Sequence, residues 1–191
     1  MNAEYGSVEN DPVNHRPCAK PVVSGDSCVH GRSPISSCRA CVIACPRMAF
    51  SLDDDGLGFD AEACDGCGLC AAACPETAID LGGDVTTPLR QPSGGARAFV
   101  ACEFSIEAAE AACVSCLHAV PLSTLAKLYS EGVRAIYAAR ADCSACSRNA
   151  GPTLADRVSD LTRLVLDRGL EPMKLETLPL AEWKSVRDES M

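Results

Sequence analysis

The chain has little that would export it, anchor it or let it hold a small substrate. Residues 1–20 contain no apolar h-region and no twin arginine, so no secretory route is expected from them. No apolar run approaches the about 20 residues a bilayer-spanning helix needs. Positive charge is not in excess: 17 Lys and Arg stand against 26 Asp and Glu, a formal net charge of −9. That balance argues against nucleic acid as a partner, because phosphate contacts come from clustered lysine and arginine. There is no glycine-rich nucleotide fingerprint, no flavin motif and no nucleophile–base arrangement. These absences point to a cytoplasmic chain, off the membrane, without a substrate pocket of its own.

Cysteine is what the chain has, with fourteen in 191 residues. A disulfide framework is the usual meaning of such a count, but it belongs to small secreted chains. Here the cysteines come in C-x2-C pairs, which suit metals better than cross-links. The densest run is Cys64-Asp65-Gly66-Cys67-Gly68-Leu69-Cys70-Ala71-Ala72-Ala73-Cys74-Pro75, a C-x2-C-x2-C-x3-C-P pattern. This is the spacing that holds iron–sulfur clusters in bacterial ferredoxins. Three thiolates two residues apart wrap one cluster, and Gly66 and Gly68 let the backbone curl close to it. A short helical turn over Leu69 to Ala73 carries the fourth cysteine elsewhere, and Pro75 stops that turn. A zinc knuckle needs four thiolates but no C-x3-C-P tail.

An incomplete second copy precedes it. Cys38-x2-Cys41-x3-Cys45-Pro46 matches the last three cysteines, but Ile35 stands where the first belongs. The nearest upstream substitute is Cys28, delivered by a longer loop in which Gly31 and Pro34 supply the turns. Cys18 competes with it, across more chain to fold back. Met48-Ala49-Phe50-Ser51-Leu52 after the first Cys-Pro parallels Thr77-Ala78-Ile79-Asp80-Leu81 after the second, as an internal duplication would. Asp53-Asp54-Asp55-Gly56 reads as a solvated hairpin tip, followed by a short strand at 57–60.

On these motifs, residues 28–82 resemble the two-cluster bacterial [4Fe–4S] ferredoxin family. The resemblance implies a compact pseudo-two-fold α+β ferredoxin-like domain in which each cluster draws its fourth ligand from the other motif. Carried over by position, one [4Fe–4S] cluster takes Cys28, Cys38, Cys41 and Cys74, and the other takes Cys64, Cys67, Cys70 and Cys45.

Residues 1–27 are polar and read as a flexible or draped arm. Residues 83–96, rich in Gly, Pro, Thr and Ser, read as a linker. Beyond it the rhythm changes. A strand is expected over 98–104, a helix over 121–131, a strand over 134–139, a helix over 153–167 and a strand over 173–178. In the second helix Leu154, Val158, Leu161, Leu164 and Val165 form the apolar face and Arg157, Asp160 and Arg163 the opposite one. This alternation implies a small α/β unit with a parallel sheet, whose sites lie at the carboxyl ends of its strands. Cys102, Cys113, Cys116, Cys143 and Cys146 all fall at that edge. A third iron–sulfur cluster, zinc and redox-active thiols are the competing readings. A zinc ribbon fits poorly, since 26 residues of helix and strand separate Cys116 from Cys143.

The layout of residues 97–178, with Asp142-Cys143-Ser144-Ala145-Cys146-Ser147-Arg148-Asn149 after its second strand, resembles the small iron–sulfur (delta) subunit of methyl-viologen-reducing hydrogenase. That resemblance implies a flavodoxin-like fold and an iron–sulfur cluster, [2Fe–2S] or [4Fe–4S]. By position it carries over Cys102, Cys116, Cys143 and Cys146, with Cys113 as the alternate. His15, His30 and His118 are read as loop hydrogen-bonding residues, and residues 179–191, with Trp183, as a surface helix or docking tail.

The expected function is an electron-transfer protein or subunit of an oxidoreductase system. Its acidic first half, net −7 over residues 1–90, suits docking on the basic patch of a redox partner. Hydrogenase, formate dehydrogenase or a heterodisulfide-reductase-like complex would each serve. The alternative is a redox or metal sensor, or an assembly factor, with a labile cluster or thiol switch in the second half.

Overall fold

The structure is a computed structural model, described over residues 20–33, 35–53, 56–82, 89, 95–105 and 113–190. The first half is built of very short pieces. Strand β1 (Val22–Val23) leads to α1 (Val29–Arg32) and α2 (Ala40–Ala44). A hairpin follows, β2 (Phe50–Asp53) and β3 (Gly56–Phe59), then α3 (Leu69–Ala73) and β4 (Ile79–Asp80). The hairpin pairs Phe50 with Phe59, and β1 pairs antiparallel with β4, Val23 opposite Ile79. Val22 and Val23, within the flexible or draped arm expected over 1–27, are therefore pinned into a two-stranded sheet, and residues 1–19 lie outside the described residues. Each hydrogen bond across β1–β4 offsets the entropy of ordering that segment.

The duplication is visible in the backbone. Helices α2 and α3 each run into a Cys-Pro step, where proline's missing N–H and its ring end the helix. Three residues past each cysteine the chain turns left-handed at a non-glycine residue, Met48 with φ 52° and Thr77 with φ 50°. Such a residue costs about 1–2 kcal/mol. The turn aims the next N–H back at the cysteine: Ala49 N–H donates to Cys45 Sγ at 3.2 Å, and Ala78 N–H to Cys74 Sγ at 3.4 Å.

In the second half, β5 (Arg97–Cys102), β6 (Cys113–Val114), β7 (Ala135–Ala139) and β8 (Lys174–Leu178) form a parallel sheet of order β6-β5-β7-β8. The short edge strand β6 was not expected. Helices α4 (Leu122–Ser130) and α5 (Leu154–Leu166) cover one face and α6 (Leu180–Asp188) covers the other. Buried on both faces, β5 and β7 read as continuous apolar runs rather than alternating ones. Their side chains still alternate. Ala98, Val100, Cys102, Ile136 and Ala138 join the core under α4 and α5, while Phe99, Ala101 and Ala139 meet Trp183 on the other side. Helix α5 starts on a capping box: Thr153 Oγ1 accepts from Asp156 N–H, and the Asp156 carboxylate accepts from Thr153 N–H.

Three further expectations need correction. Leu89, inside the stretch read as linker, is 3% exposed in the second-half core. Arg157, assigned to the solvent face of its helix, is buried and donates to the His118 carbonyl at 2.7 Å, while Leu164 is 46% exposed. The segment from Pro179 is a helix, but no free docking tail. Trp183 is fully buried, set edge-on to Phe99, and its indole N–H donates to the Tyr137 carbonyl at 2.9 Å.

Candidate metal centres

Thirteen cysteines are described and none is in a disulfide. Twelve of them line three cavities, four to each. Cys28, Cys38, Cys41 and Cys74 surround the first. Cys45, Cys64, Cys67 and Cys70 surround the second. Cys102, Cys116, Cys143 and Cys146 surround the third. In the first two, Cys74 and Cys45 cross over from the opposite motif. Cys18 lies outside the described residues, as do His15 and Pro34.

Cys28 reaches its cavity because the loop around it is held tightly. His30 Nε2–H donates to the Cys38 carbonyl at 2.7 Å, and Arg32 pairs with Glu76 at 2.5 Å, beside Cys74-Pro75. A Cβ at Gly31 would lie 2.0 Å from the Gly25 carbonyl oxygen, so the loop closes only around glycine. Ile35, in the position the motif reserves for cysteine, is 91% exposed and plays no part.

The third cavity is gathered from three separate places along the sheet's carboxyl edge. Cys102 ends β5, Cys116 follows β6, and Cys143 and Cys146 sit in the loop after β7. The structure does not bring Cys113 to it. Cys113 pairs with Ala101 and Val114 with Cys102, so Cys113 points to the face of the sheet opposite Cys102 and packs with the Trp183 cluster. That one-residue register decides the matter. His118 also lines the third cavity. Leu154 N–H donates to its Nδ1 at 3.1 Å, leaving the ring proton on Nε2. Burial, then the nearby Arg157 charge, hold its pKa below the ordinary 6.5, so it is neutral at neutral pH.

The electrostatics of the cages suit a cation. Burial pushes the thiols of Cys67 and Cys70 up to about 12 and that of Cys116 up to about 11. Neighbouring thiols add to it: Cys64, Cys45 and Cys41 act on Cys70, and Cys102, Cys146 and Cys143 act on Cys116. Four neighbouring thiolates, some of them buried, do not ionise together readily unless a metal supplies the opposing charge. An all-sulfur donor set selects zinc or iron–sulfur clusters. Among the described residues, no three Cys, His, Asp or Glu side chains close up around a single metal ion.

The second and third cages adjoin. Cys67 and Cys116, both buried, share one apolar cluster with Ala44 and Leu69. Gly68 has φ +80°, and a Cβ there would meet Ala119 Cβ at 3.2 Å, so the glycine serves both the turn and the contact between halves. Arg148, 8% exposed, bridges the two. Its Nε–H donates to Asp65 Oδ2 at 3.0 Å, between Cys64 and Cys67. Its Nη1 donates to Glu103, which follows Cys102, and to the Ser115 carbonyl at 3.0 Å, which precedes Cys116. Burial alone would raise the Asp65 carboxyl. The Arg148 hydrogen bond and charge, with the Cys67 N–H, outweigh burial and hold it below the usual carboxylate value. Sequence reasoning missed Asp65, Glu103 and Arg148. The only signal was their placement next to cysteines, which does not say that they meet.

A family model of the 4Fe-4S dicluster domain matches residues 35–78. No curated protein and no solved structure matches the chain. The matched residues include seven of the eight cysteines of the first two cages, with Cys28 just outside. Residues 35–78 are thus an iron–sulfur, ferredoxin-like segment that binds a [4Fe–4S] cofactor. Its general role is electron transfer. Among the described residues, no helix is long and apolar enough to cross a membrane.

Proposed function

We propose that the chain is a cytoplasmic electron relay with three iron–sulfur centres, passing single electrons between a partner oxidoreductase and another redox protein. A ferredoxin-like α+β domain over residues 28–82 would hold two [4Fe–4S] clusters, one on Cys28, Cys38, Cys41 and Cys74 and one on Cys45, Cys64, Cys67 and Cys70. A flavodoxin-like α/β domain from residue 97 would hold the third on Cys102, Cys116, Cys143 and Cys146, as in the hydrogenase delta subunit it resembles. A bound cluster supplies a reversible one-electron store whose potential the surrounding chain sets.

The residues perform the rest. N–H groups of Ala49 and Ala78 donate to the crossing sulfurs of Cys45 and Cys74, which withdraws charge from them and favours reduction. The apolar packing of Cys41, Phe50, Cys70 and Ile79 keeps water from the space between the first two cages. Partners of the hydrogenase, formate dehydrogenase or heterodisulfide-reductase-like class belong to this reading, docked through the acidic first half.

The observation that carries the proposal is the gathering of four thiols at the third cavity, against the second. The test is iron, acid-labile sulfide and zinc per chain in protein purified without oxygen. About ten or twelve iron with no zinc is the expected result, for a third cluster of two-iron or four-iron type. About eight iron would confine the relay to the first half, and about eight iron with one zinc would make the second half a structural zinc domain. In the same assay Cys146→Ser should remove only the third centre's iron and Cys113→Ser none.

One observation favours a second reading, a sensor with a labile third cluster. The third cavity is about 420 Å³, against about 20 and 10 Å³ for the first and second. A relay cycles through dithionite reduction and reoxidation with its iron intact; a sensor sheds or converts a cluster.

A further inference from the structure

The strongest unassigned feature is Arg148, a buried cation set between two sulfur cages and used by neither as a ligand. We propose that Arg148 couples the second and third centres, both by holding their loops in register and by setting how an electron is shared between them. The proposal rests on the three-centre reading.

Geometry comes first. Arg148 is planar and forked, and its Nε and Nη1 donate in two directions at once. One arm holds Asp65 in the loop from Cys64 to Cys67. The other holds Glu103 and the Ser115 carbonyl, next to Cys102 and Cys116. Its own N–H donates to Cys146 Sγ at 3.4 Å, so one residue touches loops bearing ligands of both cages. The Phe104 ring lies 5.0 Å from its guanidinium carbon and covers it. No lysine could replace this arrangement, since a point charge cannot serve both arms in fixed directions.

Charge comes next. Reduction adds an electron to a centre, and a nearby positive charge favours that. The Arg148 guanidinium lies between two carboxylates, Asp65 beside second-cage ligands and Glu103 beside Cys102 of the third. Each carboxylate disfavours an electron on its own centre and the shared positive charge offsets both, so Arg148 sets how an electron divides between the two centres. One electron leaves the one centre as the other gains it, and no bond or proton changes at Arg148.

The test is a redox titration of full-length, cluster-loaded protein followed by electron paramagnetic resonance, with Arg148→Gln, Arg148→Lys and Asp65→Asn. Arg148→Gln should shift the electron distribution between the two centres about tenfold, a relative change of about 59 mV for one electron. Asp65→Asn should raise the second centre's potential while leaving the third nearly in place. Arg148→Lys should keep the distribution within about threefold. It should still alter the spin–spin interaction between the two reduced centres, because the loops are no longer held in register. Should Arg148→Gln not fold, Arg148→Lys and Asp65→Asn carry the test. An Arg148→Gln protein with full iron and an unmoved distribution overturns the proposal, as does an Arg148→Lys protein with unchanged spin–spin interaction. Wild-type protein with only two centres overturns the three-centre reading and this proposal together.

Discussion

The two halves build their thiol cages in opposite ways. In the first, eight cysteines lie within 47 residues, 28 to 74, and the elements between them are four or five residues long. Three of the buried core residues there, Cys41, Cys67 and Cys70, are themselves thiols of the cages. Fold and site are the same object. In the second half a parallel sheet with helices on both faces stands on its own packing, and the cage is hung on its carboxyl edge. A site made by a fold can be roomy, as the third cavity is. A site that makes the fold must be tight. Below about 40–60 residues an apolar core alone is marginal, and a metal commonly supplies what is missing.

The comparison breaks most visibly on removing iron. With an iron chelator under reducing conditions, amide hydrogen exchange should rise strongly across residues 38–80. Amides of β5 and β7 should stay slow. Loss of protection in both halves at the same chelator concentration would mean that the second half also depends on its metal.

Trp183→Ala probes the converse. The indole is fully buried against Phe99, and its removal should cost about 3–5 kcal/mol in the second half's unfolding free energy by urea. Iron bound by the first two cages should be unchanged. A matching loss of that iron would tie the halves into one cooperative unit.

Raising pH sharpens the contrast in the metal-free chain. The buried thiols of Cys67 and Cys70 reach about 12 in the folded state against an ordinary 9.0, so folding favours their neutral form. That stabilisation is complete below the unfolded value and is lost as pH climbs from 9.0 towards about 12. Circular dichroism of the chelated protein should show residual first-half structure fading across that window. A profile flat to pH 12 would mean the thiols are not buried once metal is gone. Smallest is Thr153→Ala, which removes the capping box of α5 and should lower second-half stability by about 1 kcal/mol without touching any centre.

The same contrast explains what could be read from sequence. The C-x2-C spacings and the Cys-Pro steps are local, so the repeat was legible residue by residue, while the crossing of Cys45 and Cys74 between motifs came only with the family resemblance. Apolar periodicity likewise disclosed β5, β7, β8, α4 and α5. What failed were facts that depend on partners far along the chain. Arg148 meets Asp65 across 83 residues, and nothing near either residue says so. Cys113 stood as the alternate to Cys116 until its pairing with Ala101 put it on the opposite face from Cys102. Leu89 and Trp183 lie in stretches whose composition reads as loop or tail, and each is decided by the core that receives it. The arginine at 157 looked like a solvent-facing charge because periodicity cannot see the His118 carbonyl that takes it in.

Trp183 has one more consequence. It is the only tryptophan in the chain, and it sits against the sheet of the second half with Arg187 over its ring. The colour of its emission is therefore an optical gauge of that half's sheet. Iron–sulfur centres absorb broadly and quench indole fluorescence, so loading or emptying the cages changes the brightness of this one residue. Unfolding of the sheet changes its colour instead. Brightness and colour thus give two separate channels from a single side chain, with no label attached.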